Sequence, residues 1–209
     1  GYQAIVHRYE SPMGDVVVKS PRRSKLLSWI GNSAIRREHE IYTRLAGIDG
    51  IPKTLGLIDR KHLVLESISG SSLRESGLDL QHRERFFDSL LHTINAMHAI
   101  GIAHGDLKRK DNILVGPGEQ PFIIDFGIAC LSSETGGLLN RMQFELFKQM
   151  DLNAWIKLKH GPRPTDLPAA DAALYRPLWL ERIARWIRIP WQKLTLRRPR
   201  QRWRKRSKR

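Results

Sequence analysis

The chain has 209 residues, of which 41% are hydrophobic, and this supports one large or two small domains with a real core. It contains no run of about 18 uncharged apolar residues, which excludes an apolar membrane-spanning helix, and it has no recognisable secretory signal. The single cysteine, Cys130, excludes an intrachain disulfide and indicates a reducing compartment. The formal net charge of +15 favours anionic partners.

Two short strands are predicted near the N-terminus, from Tyr2 to Tyr9 and from Val16 to Lys19. The turn residues Ser-Pro-Met-Gly at positions 11–14 separate them. The second strand is the apolar run VVV closed by a cation, Lys19. A lone lysine on a strand carries little information, so its meaning depends on motifs further along the chain.

A helix is expected from about Ala34 to Leu45, because apolar residues recur there on one face, and Asn32 or Ser33 is its expected cap. Two glutamates lie on this helix, and at helical spacing they point about 200° apart. Glu38 borders the apolar face and Glu40 does not. Either one also fits an ordinary solvated helix charge.

The segment from His62 to Gly70 is predicted to be a buried strand that runs into a polar turn. A helix from Arg83 to Ile100 follows, and His92 and His98 on it are expected to be ordinary partly buried histidines. Its core face is apolar at helical spacing, with Phe86, Phe87, Leu90, Leu91, Ile94 and Met97.

The most informative segment is 104–127, which reads HGDLKRKDNILV, a short turn and PFIIDFG. Its two apolar runs, joined by Gly-Pro-Gly, predict a hairpin that brings Asn112 and Asp125 side by side. Phosphoryl transfer from a nucleotide requires a carboxylate that orients the accepting hydroxyl, and oxygen ligands that hold magnesium. Asp106 suits the first task, and Asn112 and Asp125 suit the second.

These motifs resemble the signature of the protein-kinase superfamily, H-R-D-L-x-x-x-N followed by D-F-G. Gly105 stands where the family has arginine. Four residues, not three, separate Leu107 from Asn112, so either the loop bulges or Asp111 shares the metal role; Asn112 is preferred, because a strand follows it directly. The H-G-D form most resembles the small bacterial lipopolysaccharide-core (Kdo/heptose) kinases and the RIO-type atypical kinases.

The resemblance implies a two-lobed α+β fold with ATP and Mg²⁺ as cofactors. Residues 1–68 would form an N-lobe with a small sheet and one helix. Residues 69–170 would form a shortened, mainly helical C-lobe with the catalytic and metal-binding loops. Residues 171–209 would form a basic amphipathic helix and a basic tail.

The resemblance also implies roles for the loop residues. Asp106 would orient the acceptor hydroxyl, and Asn112 and Asp125 would hold magnesium. Lys108 would neutralise charge on the transferred phosphoryl group, and Lys110 would replace it if the bulge shifts the register. His104 would be a structural residue packing beneath the site.

Further roles are implied for the N-lobe. Lys19 would grip the α- and β-phosphates and pair with Glu38, with Glu40 as the alternative partner. Backbone groups of Glu66 and Ile68 would meet the adenine edge, and Leu65 would back the pocket.

No G-x-G-x-x-G phosphate loop precedes Lys19, and only 18 residues lie upstream of it. We interpret Gly1 as the last glycine of such a loop, with the first strand lost. The alternative is a reduced or inactive enzyme.

After Gly127 the chain shortens relative to typical protein kinases and has no A-P-E motif. One or two helices are predicted over Leu138 to Lys159. Asp151 resembles the aspartate that binds the catalytic-loop backbone, although a plain polar helix residue fits as well. The expected apolar register consists of Leu139, Met142, Leu146, Met150 and Trp155.

The tail is strongly basic, with nine basic and no acidic residues over 197–209. An apolar stripe with tryptophans precedes it, so residues 174–209 favour an anionic membrane surface. Nucleic acid is a second candidate partner, because arginines neutralise phosphates. A solvated tail without a partner is the third interpretation.

Three functions fit the sequence. The first is an ATP-dependent kinase that phosphorylates a hydroxyl of a membrane-associated sugar of the lipopolysaccharide core, at the inner face of the cytoplasmic membrane. The second is a RIO-like serine/threonine protein kinase tied to RNA or ribosomes. The third is a non-catalytic pseudokinase scaffold.

Overall fold

The computed structural model describes residues 4–10, 14–21, 28–77, 79–133 and 135–177, and for residues 28–30 it describes the backbone only. Gly1, the turn residues 11–13 and residues 178–209 lie outside these ranges. The predictions for the phosphate loop, the amphipathic helix and the basic tail therefore fall almost entirely outside the described residues.

A four-stranded antiparallel sheet and one helix, α1, form the N-terminal lobe. The strands lie in the order β1-β2-β4-β3, so β2, which carries Lys19, is an inner strand. The bounds are β1 (Ile5–Tyr9), β2 (Val16–Ser20), α1 (Ser28–Arg44), β3 (Thr54–Ile58) and β4 (His62–Glu66).

The second lobe is mainly helical and carries three short strand pairings. Its long helices, α2 and α3, pack against each other. The bounds are β5 (Ser71–Ser72), α2 (Arg83–Ala99), β6 (Ile102–Ala103), β7 (Ile113–Val115), β8 (Pro121–Ile123), β9 (Cys130–Leu131), α3 (Gly137–His160) and α4 (Ala169–Leu174). The two-lobed α+β prediction is confirmed.

Helix α1 begins at Ser28, so Asn32 and Ser33 lie within it and the prediction that one of them caps it is wrong. Sequence preference favoured a start near Ala34, because Gly31 and Asn32 are weak helix formers. Gly31 is buried in the structure, so tertiary packing outweighs that preference.

The predicted hairpin is confirmed. Strands β7 and β8 pair antiparallel, with Ile113 opposite Ile123. The backbone N–H of Ile124 donates to the carbonyl of Asn112 at 3.0 Å, which extends the ladder past the last strand pair. Asp125 therefore follows directly from a residue that is bonded to Asn112.

The core prediction for α2 is also confirmed, because all its apolar face is buried except Leu91, which is half-buried. Trp155 of α3 is fully buried against this face, and its indole Nε1–H donates to the carbonyl of Phe87 at 2.8 Å. Cys130 is buried in a small cluster with Ala103 and Phe144, as expected for an apolar residue.

Helix α3 is one continuous helix, but its predicted apolar register is only partly core. Trp155 is buried and Leu146 and Met150 are half-buried, whereas the side chains of Leu139 and Met142 are exposed. No helix in those ranges is long and apolar enough to cross a membrane.

Candidate functional site

Lys19, Glu38 and Asp125 meet between the two lobes. Lys19 Nζ lies 2.6 Å from Glu38 Oε1 and 3.1 Å from Asp125 Oδ1. Glu40 instead pairs with Arg44 on the exposed side of α1, at 2.6 Å. Of the two candidate glutamates, Glu38 is therefore the one that meets the lysine, as its position beside the apolar face indicated.

Lys19 and Asp125 keep each other charged. Burial alone would lower the pKa of Lys19, but the neighbouring Tyr42, Glu38 and Asp125 raise it above its ordinary value. Burial alone would raise the pKa of Asp125, but the Lys19 ammonium outweighs it and holds that pKa below its usual range. At neutral pH the site thus presents an ammonium group and a carboxylate, which phosphates and a metal ion respectively require.

Asp151 of α3 organises the start of the catalytic loop, which we define as residues 104–112. Its carboxylate is fully buried and accepts the backbone N–H groups of His104 at 2.7 Å and Gly105 at 2.8 Å. His98 Nε2 lies 3.1 Å from the same carboxylate. The predicted contact of Asp151 with the loop backbone is confirmed, and His98 is its polar partner.

Asp106 is the third residue of the catalytic loop, and its side chain is 16% exposed. Its backbone carbonyl accepts Asn112 Nδ2 at 3.1 Å, so its position is tied to that of Asn112. Lys108 Nζ is 3.7 Å from one carboxylate oxygen, and Arg109 is 3.9 Å from the other. No described donor lies within hydrogen-bonding distance of the carboxylate, which leaves it available to an acceptor hydroxyl.

The additional loop residue is accommodated by a 3₁₀ turn over Lys110–Asn112. Asp111 is drawn outward, where its Oδ1 lies 2.6 Å from Arg74 Nε, and this hydrogen bond lowers the pKa of Asp111. Asn112 is buried and turned inward. The loop bulges, as one alternative predicted, and Asp111 is engaged by Arg74.

Three rings support the site from below. Phe126 is fully buried, with its ring centroid 5.0 Å from that of Tyr42 and 5.0 Å from that of His104. Tyr42 Oη accepts the N–H of Asp125 at 3.3 Å, and His104 Nε2 lies 3.0 Å from the carbonyl of Ile124. These contacts hold Asp125 in a left-handed backbone conformation, with φ at 69°. His104 thus packs beneath the site, as predicted.

The segment after β4 leads from the inner strand of the sheet into the second lobe. Leu65 is buried, as expected for a residue that backs a pocket. The N–H of Glu66 donates to the carbonyl of Lys53 at 2.9 Å, so that N–H is already used by the fold. The backbone N–H and carbonyl of Ile68 make no hydrogen bond with any described residue, so Ile68 keeps both groups for an adenine edge.

Asn112 and Asp125 fit a magnesium ion. Asn112 donates through Nδ2, and its Oδ1 accepts no hydrogen bond from the described residues. The side chain of Asp125 is 46% exposed and stays ionised beside Lys19. No group of three His, Cys, Asp or Glu residues that could hold a metal occurs in the described ranges. Mg²⁺ takes few protein ligands and completes its shell with phosphate and water oxygens, so one amide oxygen and one carboxylate suit it.

Several residues that contact the site were not predicted to do so from the sequence. Tyr42 belongs to the apolar face of the predicted helix, and it also binds the backbone of Asp125. It follows Glu38 by four residues, and that spacing was a usable signal. Arg74 and Phe147 meet the catalytic loop from distant positions, and no local pattern could have found them.

Comparison with known proteins agrees with this geometry. Residues 8–146, about two thirds of the chain, match the protein kinase domain family. Calcium-dependent protein kinase 14 of Oryza sativa subsp. japonica is 32% identical over 169 residues, which is 70% of this chain and 30% of that protein. Calcium-dependent protein kinase 34 of Arabidopsis thaliana is 27% identical over 185 residues, 78% of this chain and 34% of that protein. The chain spans about a third of the length of these curated relatives.

Proposed function

The chain belongs to the protein kinase domain family, and from that premise we propose that it phosphorylates a hydroxyl on a membrane-associated sugar of the lipopolysaccharide core. The chemistry of the family is ATP-dependent phosphoryl transfer with Mg²⁺, and the sequence-based expectation of an ATP- and magnesium-dependent phosphotransferase agrees with it. The acceptor is the part that the proposal adds.

Each polar group has a place in the proposed reaction. The acceptor oxygen forms a bond to the γ-phosphorus while the bond from that phosphorus to the β–γ bridging oxygen breaks, and its electron pair leaves with ADP. Asp106 orients the acceptor hydroxyl and takes its proton. Lys19, held by Glu38, binds phosphate oxygens, and Lys108 offsets charge on the transferred group.

Magnesium would be held by Asn112 and Asp125, and it would neutralise charge on the phosphate oxygens. The rest of the catalysis is positioning and fixed electrostatics. The backbone N–H and carbonyl of Ile68, and the backbone carbonyl of Glu66, would meet the adenine.

The proposal of a sugar acceptor is supported by the short connection between Gly127 and α3. Only residues 128–136 separate the D-F-G motif from the first residue of α3. Typical protein kinases place there the long segment that ends in A-P-E and docks the peptide substrate. A chain without room for that segment suits a compact acceptor such as a sugar.

A protein acceptor is the second candidate, and the relatives favour it. The rice and Arabidopsis proteins are named as protein kinases, and the identity to them reaches 32%. A RIO-like serine/threonine kinase would also fit the compact fold. The intact set of Lys19, Asp106, Asn112 and Asp125 argues against a pseudokinase scaffold.

The acceptor is identified by label transfer. Wild type and Asp106→Asn are incubated with γ-labelled ATP, magnesium and a crude extract that contains membranes and cytosol. Label that depends on Asp106 and partitions with lipid and saccharide supports the sugar kinase. Label in precipitated protein supports the protein kinase, and equal labelling by both enzymes contradicts a kinase role for Asp106.

The basic tail supports a peripheral location on the inner face of the cytoplasmic membrane. Residues 197–209 hold nine basic residues, and each basic residue near an anionic surface adds about 1 kcal/mol of attraction. Deletion of 197–209 should weaken sedimentation with phosphatidylserine vesicles, and added salt should weaken it in the full chain. Unchanged vesicle binding by the deletion would contradict this location, and retention on RNA would favour a nucleic-acid partner.

A further inference from the structure

Arg109 has a backbone that is fixed between the two key polar residues of the catalytic loop. Its N–H donates to the carbonyl of Asp106 at 3.2 Å, and its own carbonyl accepts the N–H of Asn112 at 2.9 Å. The Cα of Arg109 therefore cannot move without disturbing both residues. Functional side chains act best from such fixed positions.

The side chain of Arg109, in contrast, is uncommitted. It is 50% exposed, and its closest polar contact is Asp106 Oδ2 at 3.9 Å, which is too long for a hydrogen bond. Its guanidinium donates no hydrogen bond to any residue in the described part of the chain. All five of its N–H donors are thus free to bind a ligand.

The surroundings of this guanidinium favour an anion. Lys108 lies near Asp106 Oδ1 and Arg109 near Asp106 Oδ2, so two cations flank one carboxylate. Neither cation lies within hydrogen-bonding distance of Asp106, so both keep their donors for an anion, and the nearby Asp111 is already bonded to Arg74. Burial raises the pKa of Asp125, whereas Lys19 and, more weakly, Arg109 lower it, so the charge of Arg109 reaches that carboxyl as well.

We infer that Arg109 is a further catalytic residue, whose guanidinium binds oxygens of the phosphoryl group during its transfer. The planar fork of arginine matches two phosphate oxygens at once, which a lysine ammonium cannot do. The inference rests on the proposed kinase reaction. In that reaction the acceptor oxygen bonds to phosphorus, the bond to ADP breaks, and the acceptor proton goes to Asp106, while Arg109 keeps its own protons and offsets the negative charge.

The first test measures Mg-ATP hydrolysis without an acceptor, where water receives the phosphoryl group. Arg109→Ala should lower kcat about 100- to 1000-fold with little change in KM for ATP, since loss of one donor to the transition state has effects of this order. Arg109→Lys should recover part of the rate. The matched control is Arg85→Ala, which removes an exposed arginine of α2 and should behave as wild type.

The second test reads binding instead of turnover. The rise in melting temperature is measured with Mg-ADP alone and with Mg-ADP plus aluminium fluoride, which mimics the phosphoryl group in transfer. We expect Arg109→Ala to keep the response to Mg-ADP and to lose most of the additional response to fluoride.

Three results would overturn the inference. Rates and fluoride responses of Arg109→Ala equal to those of Arg85→Ala would show that Arg109 does not bind the phosphoryl group. Normal hydrolysis with reduced labelling of acceptors from the extract would assign Arg109 to an anionic group of the acceptor. If the melting temperature of the wild type rises neither with Mg-ADP nor with Mg-ADP plus aluminium fluoride, the proposed function itself is overturned, and the inference with it.

Discussion

The ring of Phe147 occupies the space that a side chain at Gly105 would need. A Cβ on Gly105 would lie 2.4 Å from Cδ1 of Phe147, and Gly105 has a φ of 78°. An arginine has no room at this position, although the family signature carries one there. The buried carboxylate of Asp151 holds the backbone at this position. The catalytic loop is therefore ordered without an arginine that couples it to a phosphorylated segment.

Gly105→Ala should therefore destabilise the protein for two reasons. A left-handed backbone costs an alanine about 1–2 kcal/mol, and displacement of the Phe147 ring adds about 1–3 kcal/mol of overpacking. Gly118→Ala is the matched control, because Gly118 also has a positive φ of 63° but a Cβ there would meet nothing within 4 Å. Urea unfolding should show a clearly larger loss for Gly105→Ala. Equal losses would mean that Phe147 yields without cost.

Much of the fold could be predicted because its signals are local. The β7–β8 hairpin follows from two apolar runs around Gly-Pro-Gly, and α2 follows from apolar residues at helical spacing. The two polar residues at the ends of that hairpin also placed Asn112 beside the segment of Asp125.

The remainder depended on contacts between distant positions. Periodicity shows which face of α3 is apolar, but not whether anything covers it, and Leu139 and Met142 are exposed. The bulge in the catalytic loop was ambiguous until Asp111 was seen paired with Arg74, a residue 37 positions away. Local preference also misplaced the start of α1, because it does not register the burial of Gly31.

Glu38 and Glu40 provide a direct test of the lysine partner. Glu38→Gln removes the charge that lies 2.6 Å from Lys19 Nζ, so the grip on the phosphates should weaken and kcat/KM for ATP should fall about 10- to 100-fold. Glu40→Gln removes only an exposed pair with Arg44, and such pairs contribute little. Steady-state ATP hydrolysis by the two variants distinguishes them, and equal activities would contradict the role of Glu38.

Asp151 should be needed for both stability and activity. Asp151→Ala leaves the backbone N–H groups of His104 and Gly105 and the ring of His98 without their buried acceptor. We expect a loss of about 3–5 kcal/mol in the free energy of unfolding, measured with urea. Asp88→Ala, an exposed change on α2, should cost almost nothing. A loss as small as that of the control would show that water replaces the carboxylate.

Glu119 should make stability depend on pH. Its carboxylate accepts the backbone N–H groups of His82 and Gln81, each at 2.7 Å, and these bonds hold the pKa of Glu119 below its usual range. A carboxylate whose pKa is lowered by folding stabilises the protein above its unfolded pKa of about 4.3, and this contribution is lost as the pH falls through the folded pKa. Glu119→Gln should therefore destabilise the protein near pH 7, and its difference from wild type should shrink near pH 3.

Urea unfolding of wild type and Glu119→Gln across this pH range measures that difference, with Glu145→Gln as the control. Glu145 is an exposed glutamate whose only described ion pair is a 3.4 Å contact with Lys148. Glu119 sits in the turn of the β7–β8 hairpin and joins it to the start of α2, so its loss should also loosen the hairpin that ends at Asn112 and Asp125. A reduced affinity for magnesium in Glu119→Gln, with normal affinity in Glu145→Gln, would show that the turn positions the site. A difference in stability that stays constant with pH would mean that the charge of Glu119 contributes nothing to its hydrogen bonds with Gln81 and His82.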